Sequence, residues 1–344
     1  MARAVWKKLI SDTSIQRSSQ ALSVIGNNAY IYGGELRPRE PVDSSVYRIS
    51  LPSGQTAPSQ ITTLTSTDRS PQPRVGTASA TIGDKIYLFS GRGGIAMSPL
   101  EESGSLWVFD TKESPASSHW VQLTPAPSTG FPQGRSYHAL TSNGTDTIYL
   151  HAGCPTTDRL SDLWSFDVKT SVWKELPSAP GPARGGTSIA FSNGKIYRMN
   201  GFDGKTEQGG AVDVFDIADN EWKTTTFPPD GVSGPEARSV AALLALQING
   251  RESLVTLFGE RDPSSLGHAG AGKMLSDVWA FDIQDQKWSK VSVSDGADGK
   301  PAARGWFDAD VLAPEDGRGG VVVHGGLAES NERLGDAWLL EFEQ

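Results

Sequence analysis

Residues 258–273, FGERDPSSLGHAGAGK, gather a glutamate, an aspartate, a histidine and four glycines. Glu260 and His268 offer a hard oxygen and an imidazole nitrogen, with Asp262 as a second oxygen. One histidine and two carboxylates that leave coordination positions open suit non-haem Fe(II). Gly267 to Lys273 also matches the GxxxxGK of a phosphate cradle. Met274, however, stands where Ser or Thr would reach magnesium, and the stretch lies between strands rather than at a helix N-terminus. The phosphate reading is set aside. A structural reading competes with the metal: Asp262 and Pro263 open a turn, Glu260 binds loop amides, and the glycines allow close packing. Spacing alone does not choose between them.

Arginines form the second constellation. Arg17, Arg74, Arg135, Arg184, Arg238 and Arg304 each open a similar segment: RSSQALSV, RVGTASAT, RSYHALTS, RGGTSIAF, RSVAALLA and RGWFDADV. One reading is structural, with one guanidinium per blade hydrogen-bonding neighbouring loop carbonyls. The other is an electropositive mouth for an anionic ligand in an otherwise acidic protein. On that reading Arg17, Arg74, Arg135, Arg184 and Arg238 bind substrate beside Tyr137, Phe202 and Trp306, with His138 and Phe307 close by. Arg92 is different. The matching positions after the other glycine-ended strands are Glu35, Cys154, Phe202, Glu260 and Leu327, so Arg92 is not a repeat feature. Cys154 has no local base more convincing than His151 and reads as a buried thiol. His324 reads as core, and Glu101–Glu102 as a solvated loop face.

The elements that must position these residues are repeats. After each arginine strand comes a second strand ending in glycine (AYIYGGE, KIYLFSGR, TIYLHAGC, KIYRMNGF, SLVTLFGE, GVVVHGGL). A third follows (SVYRIS, SLWVFD, DLWSFD, AVDVFD, DVWAFD, DAWLLE), and a fourth carries Trp120, Trp173, Trp222 or Trp288 in four copies. Four alternating strands per unit read as one propeller blade, and six copies as six blades. The blades fall at roughly 14–66, 72–124, 133–177, 182–226, 236–292 and 302–344. The sixth copy lacks a fourth strand, and AVWKKLI (4–10) is expected to supply it and close the ring, removing an open sheet edge. The whole chain, 1–344, then reads as one all-β domain. Loops after the glycine ends and loops entering the arginine strands open on one face, around the central channel, where sites gather.

Composition narrows the partners. A net charge of −9 leaves no footprint for nucleic acid or an anionic membrane, and no apolar run is long enough to span a bilayer. MARAVWKKLISD lacks the apolar core of a secretory signal, and a single cysteine fits a reducing compartment. A cytoplasmic protein that acts on a small molecule is expected.

The glycine-ended second strand, aromatic third strand and tryptophan-bearing fourth resemble the kelch repeat. YGGELRPREPVD, PRVG, SGRGG, RSYHALT, GCPTTDRLSDLW, ARGG, ARSV and GERDPSSLGHAGAG are more narrowly similar to the plant nitrile-specifier, epithiospecifier and thiocyanate-forming proteins. That resemblance implies a non-redox, lyase- or isomerase-like enzyme of specialised metabolism that steers rearrangement of a reactive intermediate. It also implies an Fe(II) site of pattern Glu-x-x-x-Asp-x-x-x-His. Glu260 and His268 match it, Ser264 occupies the aspartate position, and Asp262 stands two residues earlier. The implied metal set is therefore Glu260, Asp262, Ser264 and His268, and the catalytic set Arg92, Glu260 and His268, with Arg92 facing substrate. Two alternatives stay open: a cofactor-independent cyclase or cycloaddition catalyst on the same propeller, and a kelch scaffold binding a protein partner at the channel mouth.

Overall fold

Apolar residues that alternate along a strand give that strand two buried faces only if a sheet packs on each side. Lys85–Phe89 shows the consequence: Ile86 and Leu88 pack against the preceding sheet, Tyr87 and Phe89 against the following one. The same partition holds all round the molecule, and six apolar clusters fill the six seams between neighbouring sheets. This computed structural model describes residues 2–52, 58–65, 67, 69–112, 120–127, 130–313 and 320–343.

The described residues form a β-propeller whose six blades each carry four antiparallel strands. From the centre outwards, the first blade runs Ser18–Ile25, Asn28–Arg37, Val46–Ser50 and Ile61–Leu64. The next four blades repeat that order, each strand paired with its sequence neighbour. Inner strands Ser18–Ile25, Ala78–Ile82, Ala139–Ser142, Ser188–Ser192, Ala242–Ile248 and Asp308–Leu312 touch their neighbours in turn, the last contacting the first. In the sixth blade Asp336–Phe342 pairs with Gly320–His324 on one side and with Arg3–Ser11 on the other, Trp6 lying opposite Leu340. Ser292–Ser294 runs parallel to Arg3–Ser11 on its outer edge. The ring of Trp6 stacks on Phe258, at 5.7 Å between centroids.

No helix of the described residues is long and apolar enough to cross a membrane.

Candidate functional site

The repeat arginines lie inside the wall. Arg17, Arg74, Arg135, Arg238 and Arg304 are essentially inaccessible, and Arg184 is 7% exposed. Each sends Nη1 to a carbonyl at the end of its own second strand: Gly33, Ser90, Ala152, Asn200, Phe258 and Gly325 respectively. In four blades the guanidinium also grips a carboxylate at the start of the third strand, Arg74 with Glu102, Arg135 with Asp162, Arg238 with Asp277 and Arg304 with Asp336, at 2.7–3.1 Å. The same carboxylate accepts the indole N–H of Trp107, Trp164, Trp279 or Trp338. A buried bidentate pair is stable only when its remaining lone pairs are satisfied, and the tryptophan supplies that donor.

The two blades that depart from this pattern solve the problem differently. In the first, Arg17 lies 4.4 Å over the Tyr47 ring, whose hydroxyl donates to Asp43. In the fourth, Asp213 replaces the tryptophan and pairs with Arg198, whose guanidinium burial drives down to about 9. Arg17, Arg74, Arg135, Arg184 and Arg238 thus do not form the electropositive mouth expected of them: each is buried in the wall with Nη1 on a carbonyl of its own blade, and none lines the mouth cavity.

Two residues beyond each arginine the backbone turns left-handed, with φ between 46° and 61° at Ser19, Gly76, Tyr137, Gly186, Val240 and Trp306. Their main chains join in a closed circle. Ser19 N donates to Trp306 O at 2.7 Å, Gly76 N to Ser19 O at 2.9 Å, and Tyr137 N to Gly76 O at 2.7 Å. Gly186 N donates to Tyr137 O at 2.8 Å, Val240 N to Gly186 O at 2.9 Å, and Trp306 N to Val240 O at 3.2 Å. This circle divides the central channel from a cavity of about 340 Å³ above it. Two members must be glycine. A Cβ on Gly76 would meet the Tyr137 ring at 2.9 Å, and one on Gly186 would meet Val240 at 2.9 Å. The space lets Tyr137 lie across the floor edge-on to Trp306, at 5.2 Å between centroids.

The long loop 260–276 arches over this floor. His268 stacks on Tyr137 at 5.9 Å and meets Trp306 edge-on at 5.4 Å. Burial lowers the imidazole pKa, and Arg39, Arg92 and Arg159 lower it further. Those three arginines line the cavity, and no carboxylate pairs with them among the described residues. Arg92 is fixed by Ser136 Oγ and by the carbonyls of Met97 and Pro155, at 2.8–3.1 Å. Arg159 lies 5.1 Å over the Phe202 ring. Cys154 also faces the cavity; burial raises its thiol pKa, against the pull of Arg159 and Arg92.

Carboxylates line the other side. Glu260 is 4% exposed and accepts the Gly272 N–H at 2.6 Å; burial raises its pKa. Burial raises that of Glu207 too, and the nearby charge of Glu260 adds to it. Glu35 is tied to Arg333 at 3.2 Å.

Among the expected site residues, Arg92, Tyr137, Phe202, Glu260, Ser264, His268 and Trp306 all line this cavity. Asp262 does not. Its backbone is left-handed, with φ 51°, which ends the short strand Glu260–Arg261 and turns the side chain outward, 76% exposed beside Arg261. Phe307 packs on Phe258 below the floor, and His324 is buried with Nε2 at the Ile15 carbonyl. No three His, Cys, Asp or Glu side chains among the described residues converge to hold a metal ion. Ser264 brings no charge and Asp262 faces away, so this set does not fit the iron that the resemblance implies. Arg39, Arg159 and Glu207 are additions to the site. They sit on loops with no repeat signal, whereas the backbone circle has one, the position two beyond each repeat arginine.

Known proteins place the chain. It is 27% identical over 350 residues to the N-(sulfonatooxy)prop-2-enimidothioate sulfolyase of Thlaspi arvense, covering 94% of this chain and 92% of that protein. The Kelch-like protein terF of Aspergillus terreus is 25% identical over 240 residues, 66% of this chain and 49% of that protein. A solved structure, described as the structure of YjhT, superposes with a TM-score of 0.70 over 98% of this chain and all of that one at 17% identity, a likeness of fold. The kelch-repeat domain described as KLHDC2/KLHL20/DRC7 matches residues 19–259, and this chain therefore belongs to the kelch-repeat family.

Proposed function

We propose that the chain is a specifier-like lyase that binds a small sulfated intermediate in the mouth cavity and directs its breakdown. The observation that carries this reading is the trio Arg39, Arg92 and Arg159, which line the cavity and form no ion pair among the described residues, while four of the six repeat arginines are paired with blade carboxylates. The near full-length likeness to a sulfolyase supports it. Arg92, locked by three acceptors, presents its charge without rearranging. Fixed cationic donors stabilise negative charge that grows on a departing sulfate as the N–O bond breaks and its electron pair passes to the sulfate oxygen, while a bond of the imidate carbon supplies the nitrogen, the C–C bond by migrating to it or the C–S bond by loss of sulfur. His268, held neutral over Tyr137, and Glu260 are placed to position the remainder or to accept a proton from it. The test is to generate an N-(sulfonatooxy)imidothioate in the presence of the protein and follow the products. A product distribution that differs from spontaneous decay supports the reading; an identical one overturns it.

The aromatic floor of Tyr137 and Trp306 favours a second reading, a cofactor-independent cyclase in which the rings orient a reactive intermediate. Trp306→Ala would then abolish cyclised product.

A further inference from the structure

The mouth cavity is electrically divided, and the division follows the blade order. Arg39, Arg92 and Arg159 come from loops of the first three blades, and Glu207 and Glu260 from those of the fourth and fifth. The remaining carboxylate, Glu35, is already paired with Arg333. All three arginines act electrostatically on His268, whereas the charges acting on Glu207 are the carboxylates of Glu260, Asp262 and Asp203. Glu207 is also incompletely bonded: its Oε1 is buried and meets no hydrogen-bond donor among the described residues. A buried carboxylate oxygen without a donor is costly, and the charge of Glu260 adds repulsion. Both costs fall when a ligand brings a cationic donor. A sulfated anion alone would use the arginine side and leave Glu207 unsatisfied.

We propose that the ligand of this cavity is dipolar, a small molecule with a sulfate-like anion held by Arg39, Arg92 and Arg159 and a protonated nitrogen held by Glu207 and Glu260. This rests on the anion-binding reading above and adds a substrate class to it. Glu207 becomes the residue that separates this chain's ligand from a purely anionic one.

Calorimetric titration of the full chain with three matched probes tests it: 3-aminopropanesulfonate, propanesulfonate and propylammonium. One charge-assisted hydrogen bond corresponds to roughly a tenfold or greater gain in affinity. The aminosulfonate is therefore expected to bind at least about tenfold more tightly than propanesulfonate, and Glu207→Gln to lower that ratio by roughly tenfold. Equal binding of the two sulfonates by the wild type overturns the dipolar ligand and leaves the anion site standing. An unchanged ratio in Glu207→Gln overturns the role of Glu207. Failure of both sulfonates to bind overturns the anion site and the dipolar ligand together. If Glu207→Gln melts early, the wild-type comparison of the three probes still decides.

Discussion

Replacing Arg238 by methionine keeps the apolar stem and removes the guanidinium. Asp277 then loses both hydrogen bonds to Arg238, at 2.7 and 3.1 Å, and keeps only the indole of Trp279, while the Phe258 carbonyl loses its donor. Stranding one member of a buried ion pair costs about 3–5 kcal/mol. At about 2.1 cal/mol/K of unfolding entropy per residue, a chain of 344 residues melts about 4–7 °C lower for that loss. Acid narrows the gap. Burial alone would raise the pKa of Asp277, but Arg238 outweighs it and holds the carboxyl below its usual value. The pair's contribution is thus present at neutral pH and lost as pH falls through that lowered pKa. Differential scanning calorimetry at pH 7 and at a pH below the lowered pKa of Asp277, with Asp277→Leu and the double variant completing a cycle, measures both effects. An Arg238→Met protein that melts with the wild type yet loses ligand affinity would refute the placement of the repeat arginines in the wall.

Further expectations concern the seams. Trp6 is 3% exposed and stacks on Phe258, so Trp6→Ala should cost about 3–5 kcal/mol in urea unfolding; a loss under about 1 kcal/mol would contradict a structural role for Arg3–Ser11. Asp308 and Asp310 join the last inner strand to the first by accepting the amides of Leu22 and Val24. Burial lifts their carboxyls to about 7 and about 6. The folded state then binds protons that the unfolded chain has released, and stability falls as pH rises from about 4 to about 7. Asp308→Asn with Asp310→Asn should flatten that slope in denaturant midpoints; an unchanged slope would contradict it.

The propeller was legible because its cause repeats. Each blade needs an arginine, a glycine-ended strand and an aromatic third strand, and six copies of that pattern give the order of the sheets. The role of the arginines was open in the sequence because their partners, Glu102, Asp162, Asp277 and Asp336, lie a full hairpin later. Arg92, Tyr137, Phe202, Glu260, His268 and Trp306 reached the mouth cavity because each sits at a fixed offset from a strand end or in the longest mouth loop. Asp262 did not, since a left-handed residue cancels the two-residue alternation that would have aimed it with Glu260. Arg39, Arg159 and Glu207 escaped notice for a related reason: in irregular loops no period tells which way a side chain turns.

The central claim is that the unpaired cavity arginines bind the anionic part of the substrate. It is tested most directly by the rate of sulfate release from an N-(sulfonatooxy)imidothioate with wild type and with Arg92→Ala/Arg159→Ala. Removing two charge-assisted contacts to the leaving group should slow release by at least about a hundredfold, measured below the melting temperature of the double variant. Release at the wild-type rate by the double variant, or no acceleration by the wild type itself, would contradict the account.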